Sequence, residues 1–301
     1  MTVTIQANNA FYYYQDLDAA TDFYVKSLGF PVVADFGFAR MIQVASSSFL
    51  TLVDVTRGMH RGDEPKTVTT AFITDELEAW AVYLTGLNVP MHRTFSPQAR
   101  SAHDGFVVLD PEGYLLEFER FNPHPENDAL MPRLDGLPSL YPSPDQATSR
   151  PVNLGVKATV TWLYYEDMGG AQQWWENACG LSRLVDQGFA FIYQTSQSGF
   201  VGPVRAGQGL HPFAAEKLVT VSFLTDTLED WFARLSTRAD FPLRTAAISQ
   251  EGEDVTLFVG YDTANYFVEF DQVQPSARTA DLVRILRQTP PHQLEMAHVP
   301  A

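Results

Sequence analysis

Glu117, with Glu119 on the same strand face, is the residue best placed to do chemistry, and the second half of the chain holds an equivalent pair but reads as more structural. Glu117 and Glu119 lie two apart in LLEFERF (115–121), and Glu269 and Asp271 lie two apart in FVEFDQV (267–273). Both segments are apolar and aromatic and read as strands, where residues two apart share a face. A buried, unpaired carboxylate is costly when ionised, so it is neutralised, hydrogen-bonded or paired. Glu117 therefore either carries a raised pKa, meets Tyr13, Asn9 or Arg40, or points to solvent at an open mouth. A raised pKa would suit a general acid or base, and Glu119 on the same face would raise it further by like-charge repulsion.

Other polar groups are arranged around a first strand, AFYYY. Its alternation puts Asn9, Phe11 and Tyr13 on one face and Ala10, Tyr12 and Tyr14 on the other. The second half repeats this as Val160, Trp162 and Tyr164. Gln43 and Gln194 occupy matching places and suggest a shared hydrogen bond or a polar contact inside. His60 and His211 follow Gly58 and Gly209 and read as loop histidines bonded to backbone. His103 precedes a strand and reads as a surface-loop residue.

The elements that position these residues are written twice. A fixed separation of 151 links Asp16 to Asp167, Gly29 to Gly180, Gln43 to Gln194, His60 to His211 and Trp80 to Trp231. The register slips by one before the last strand. A period of this size is a whole domain and not a solenoid repeat. Each copy opens with a strand, an aspartate and an amphipathic helix closed by Gly29 or Gly180. Strands follow near 31–36, 39–45 and 48–55 in the first copy. A second unit then begins, with a strand at 67–74, a helix at 77–87 and strands at 106–109 and 114–121. Asp110-Pro-Glu-Gly113 is a turn signal between the last two. Each copy thus predicts βαβββ followed by βαβββ. Residues 122–155 hold seven prolines and read as a linker, and 277–287 as a terminal helix with a loose tail from Thr289.

Composition narrows the partners. A net charge of −16 argues against nucleic acid and against an anionic membrane surface. The N-terminus shows neither a basic region nor an apolar run, so no signal peptide is expected. One cysteine, Cys179, cannot form an intrachain disulfide and fits a reducing, cytoplasmic setting.

DLDAATDFYVKSLGF (16–30) and DPEGYLLEFE (110–119) carry a resemblance to the vicinal oxygen chelate superfamily, which includes glyoxalase I, bleomycin-binding proteins and extradiol dioxygenases. The resemblance implies an α+β fold of two tandem domains, each a pair of βαβββ units forming an incomplete barrel around a cavity. The division expected is 1–122, a Pro-rich linker at 123–155, 156–275, and a C-terminal helix and tail at 276–301. It also implies a divalent metal held from the first, fourth, fifth and eighth strands. Those positions fall at Asn9 and Val160, Thr51 and Gly202, Thr69 and Thr220 give or take one residue, and Glu117 and Glu269. Only the glutamates are conventional ligands, so no metal or other cofactor is expected. A rebuilt site using His60 or His103 is the alternative.

The expected function is binding of a small aromatic or apolar molecule in the first-copy cavity. Its lining would be Asn9, Phe11, Tyr13, Gln43, Thr51, Thr69 and Glu119, with Glu117 as the candidate catalytic group. The alternative is a lyase, isomerase or dioxygenase using Glu117 as base or as a metal ligand. Whether the chain is an enzyme stays open, as does its state: a monomer with internally paired domains, or a homodimer.

Overall fold

The computed structural model describes residues 2–295. Four βαβββ units follow one another along the chain, at 7–54, 68–121, 158–205 and 219–273. Asp16 starts the first helix by accepting a hydrogen bond from the Ala19 amide at 2.9 Å, and Asp167 does the same for Gly170 at 3.0 Å. Each helix ends through a π-turn, Phe23–Ser27 or Trp174–Ala178, before Gly29 or Gly180 at positive φ.

The units do not pair with their neighbours within a copy. Strand Ala7–Tyr14 of the first unit runs antiparallel to Val219–Leu224 of the fourth, and Val68–Ile73 of the second to Ala158–Tyr165 of the third. The result is two curled eight-stranded sheets, each drawn from both halves of the chain. We call them the first barrel (units one and four) and the second barrel (units two and three). The arrangement of two incomplete barrels is the expected one, while the grouping of strands within them crosses the copies. Glu117 therefore does not share a sheet with Asn9, Phe11 and Tyr13.

Strand alternation holds. Ala10, Tyr12, Tyr14, Leu163 and Tyr165 face the helices and join Trp80, Trp174, Trp175 and Trp231 in the main apolar core. The acidic turns stitch the barrels together. Asp110 accepts hydrogen bonds from the Glu112 and Tyr114 amides and from the Tyr14 hydroxyl at 2.6 Å. Tyr114 then donates to the Leu218 carbonyl at 2.7 Å, and its oxygen accepts from the Tyr13 amide at 2.9 Å. Asp262 and Tyr266 repeat this on Tyr165, Thr67 and Tyr164. At the pseudo-twofold axis the Ser47 and Ser198 amides each donate to the other residue's hydroxyl at 2.8 Å. Such buried bonds contribute about 1 kcal/mol each, net, and fix the register of the two barrels.

The Pro-rich segment packs closely. It holds short helical turns at Pro125–Asn127 and Met131–Asp135, and Leu130, Leu134 and Leu154 are buried. The terminal helix is Ala280–Gln288. The tail expected to be loose from Thr289 instead forms strand His292–Glu295, paired with Thr2–Ile5. Residues 296–301 lie outside the described residues. No described helix is long and apolar enough to cross a membrane.

Candidate small-molecule site

The first barrel encloses a cavity of about 380 Å³. Phe11, Tyr13 and Thr51 reach it from unit one, and Glu269 and Asp271 from the last strand of unit four. Phe36, Phe38, Met41 and Leu257 add an apolar wall, and Leu282 of the terminal helix closes one side. Pockets of this size and make-up suit small organic molecules. Asn9 lies just beneath the wall, 1 % exposed, and its Oδ1 accepts from the Thr51 hydroxyl at 3.1 Å. Its Nδ2 has no partner.

Two acids form the floor. Ser222 donates to Asp271 Oδ2 at 2.5 Å, while Asp271 Oδ1 is buried without a partner. Burial, and then the neighbouring Asp271, pushes the Glu269 carboxyl well above the usual range. Burial likewise pushes Asp271 up to about 6. Both acids are almost fully buried and no described base is bonded to them, so each resists ionising beside the other.

The second barrel differs because its interior is filled. Trp162 and Gly202 are cross-strand partners, where the first barrel has Phe11 and Thr51. The larger ring occupies the space that a side chain at 202 would need. A smaller pocket of about 200 Å³ remains, lined by Glu117, Glu119, Trp162, Tyr164, Arg93 and His103. Glu117 is engaged by the Arg93 guanidinium, and not by Tyr13, Asn9 or Arg40; Arg40 instead pairs with Asp18 and Asp35. His103 Nδ1 lies 4.0 Å from Glu119. Burial pushes Glu117 up to about 8, with the Glu119 charge adding to it and Arg93 opposing; burial alone lifts Glu119 to about 8.

These shifts have a definite sign. Both acids have folded pKa values above the ordinary 4.5, so the fold favours their protonated forms. That stabilisation is complete below the ordinary value and is lost as pH rises through the folded one. We expect Glu119→Gln to gain about 1–2 kcal/mol relative to the parent between pH near 4, below both pKa values, and pH near 9. Urea midpoints at the two pH values check this; an advantage independent of pH would contradict it.

Several sequence expectations separate here. Phe11, Tyr13 and Thr51 share the first cavity, whereas Glu117 and Glu119 face the second. Thr69 is fully buried in the second barrel, its hydroxyl 3.1 Å from that of Tyr164. Gln43 is partly exposed and lines neither cavity. His60 is not held by backbone alone. Its Nδ1 lies 2.5 Å from Glu64 Oε2, and its Nε2 lies 3.1 Å from the Thr220 hydroxyl, which is 2.8 Å from that of Tyr13. The equivalent of Glu64 is Ala215, so His211 lacks that acid, and its Nε2 has no partner. Sequence reading missed Arg93, which comes from an edge strand, Phe36 and Phe38, which come from a connecting loop, and Met41, which comes from the strand next to the edge.

Register across the sheets fixes which residues stand where the resemblance expects a metal. The rows are Asn9, Ser222, Glu269 in the first barrel and Val160, Ala71, Glu117 in the second. The fifth-strand position is thus two residues beyond Thr220 and Thr69. Val160, Ala71 and Gly202 offer no donor side chain. At those positions the first barrel offers one acid, Glu269, and neutral side chains but no imidazole. Among the described residues no three His, Cys, Asp or Glu come together to hold a metal ion. Neither barrel fits the expected ligand set.

The model of the Glyoxalase/Bleomycin resistance protein/Dioxygenase superfamily matches residues 6–118. The match falls within the first copy of the repeat, which carries the sequence pattern of this superfamily. Among solved structures it resembles glyoxalase I from Zea mays, at 12 % identity over 96 % of each chain and a TM-score of 0.61. It also resembles a "putative dioxygenase" from Bacillus subtilis subsp. subtilis str. 168, at 14 % identity over 91 % of this chain and 86 % of that one, with a TM-score of 0.60. At such identities the likeness concerns the fold. No curated protein matches the chain.

Proposed function

We propose that this protein binds a small aromatic or apolar organic molecule in the cavity of the first barrel. The observation that carries this is the 380 Å³ space walled by Phe11, Tyr13, Phe36, Phe38 and Leu257 over an acidic floor. Apolar walls supply affinity and a few polar groups fix orientation. The second barrel supports the same choice of site. Trp162 fills much of its interior and Arg93 already occupies Glu117, so the lyase, isomerase or dioxygenase built on Glu117 has the smaller pocket. The buried lone thiol of Cys179 fits a cytoplasmic protein.

The test is equilibrium binding to a panel of aromatic metabolites. Leu257→Trp would fill the cavity and Phe11→Ala would strip one wall. For any compound that binds the parent, we expect both variants to weaken binding at least about tenfold, the equivalent of one lost aromatic contact. Unchanged affinity in both would remove the proposal.

A further inference from the structure

The twin barrels treat their floor acids differently. In the second barrel the short strand Met91–Arg93 brings a guanidinium onto Glu117. The corresponding segment of the first barrel is fixed by matching hydrogen bonds: the Pro90 carbonyl accepts from the Leu109 amide at 2.9 Å, and the Pro242 carbonyl from the Tyr261 amide at 3.0 Å. That segment delivers no cation to Glu269 or Asp271. Arg244 lies over the Phe267 ring, with Nη1 3.5 Å from the Tyr261 hydroxyl. Its neighbour Thr245 lines the cavity with an unpartnered hydroxyl.

The remaining bases of the lining are engaged at the rim. Arg57 lies over Phe38, and Arg278 pairs with Asp254. Among the described residues neither Glu269 nor Asp271 forms an ion pair at 4.0 Å or less. Asp271, 3 % exposed, keeps one oxygen without a partner, and Glu251 adds a third acid to the same space.

We propose that the first-barrel cavity is built for an organic cation, an aryl- or cycloalkyl-amine whose ammonium sits on Glu269 and Asp271 as Arg93 sits on Glu117 in the twin. This rests on the ligand-binding role proposed for the cavity and names the class of its ligand. The hydrocarbon part lies against Phe11, Phe36, Phe38 and Leu257. An ammonium supplies several N–H donors and compensating charge to acids that are otherwise buried together. Charge-assisted bonds of this kind are roughly twice as strong as neutral ones. An alcohol of the same shape brings one donor and no charge, and a carboxylate is repelled by all three acids. The net charge of −16 also draws cations toward the molecule.

The test uses the intact, EDTA-treated chain and two ring systems, naphthyl and adamantyl, each as methylamine, methanol and carboxylate. Calorimetry should show the amine binding at least about tenfold tighter than the alcohol, with the carboxylate weakest. Glu269→Gln and Asp271→Asn should each bring the amine down to the level of the alcohol measured on the same variant, so that the amine-to-alcohol ratio falls to about one. Thr245→Arg, which supplies an internal cation, should abolish amine binding. Its thermal unfolding shows whether that variant folds, and the two near-isosteric variants decide the matter if it does not. Equal affinity for amine and alcohol, or a preference for the carboxylate, would overturn the inference while leaving the cavity a ligand site. No binding by any of the six probes would sink both.

Discussion

Gly202→Thr is expected to destabilise the protein by about 3 kcal/mol or more, at the upper end of what overpacking a core costs. A Cβ at 202 would stand 2.0 Å from Cε3 and 2.2 Å from Cζ3 of Trp162. These are ring atoms of a nearly buried side chain and cannot swing aside. Val160 and Tyr164 flank it on the same strand face, both buried. The first barrel shows the remedy, since Thr51 stands opposite Phe11 without conflict. Trp162→Phe alone should cost about 1–2 kcal/mol through the void it leaves. Combined with Gly202→Thr it should recover most of the loss, giving a coupling of at least about 2 kcal/mol in a double-mutant cycle. Guanidinium unfolding of the four proteins measures this. A mild single variant, or additive effects, would show that the two side chains do not share the space.

Arg150→Met is expected to cost about 3 kcal/mol, because hydrogen bonds to charged groups are worth more than neutral ones and carbonyls would be stranded. Arg150 is 3 % exposed and faces carbonyls, not acids. Nε and Nη2 donate to the Leu154 carbonyl at 2.8 and 2.6 Å, Nη2 also to Leu140 at 2.7 Å, and Nη1 to Leu28 at 3.1 Å. Its guanidinium lies over Trp80 and Phe30, 4.9 and 5.3 Å from the ring centres. Burial lowers its pKa to about 10, which leaves it charged at neutral pH. Arg150→Lys should fail to restore stability, since an ammonium on a single stem cannot span three carbonyls set in a fork. Thermal melts and protease cleavage within 141–150 report the outcome. A lysine variant as stable as the parent would mean that charge alone matters there.

Local structure was legible where short-range chemistry decides it. The alternation of Asn9, Phe11 and Tyr13 against Tyr12 and Tyr14, the cap at Asp16 and the turn at Asp110 all rest on residues adjacent in sequence. The choice of partner strand was not. Duplication makes TTAFI (69–73) and TVSFL (220–224) near equivalents, and both offer Ala7–Tyr14 a similar edge. Only the closing of the whole molecule selects Val219–Leu224. The candidate site inherited that ambiguity. Alternation correctly put Asp271 beside Glu269, yet nothing local assigned them to the cavity of Phe11. Arg93 was invisible for another reason: Met91–Arg93 is too short and polar to carry a periodic signal.

The crossed pairing nests one barrel inside the other along the chain, and this sets an order of assembly at the ribosome. Units two and three are consecutive, so their sheet can close as soon as residue 205 has emerged. The opening strand must wait much longer, for Tyr13 meets Thr220 across 207 positions. Distant pairings of this kind are slow and leave apolar edges exposed meanwhile. The compartment with room for a guest is thus the last to exist during synthesis, and the nascent chain carries an aromatic strand paired on one edge only until its far end arrives.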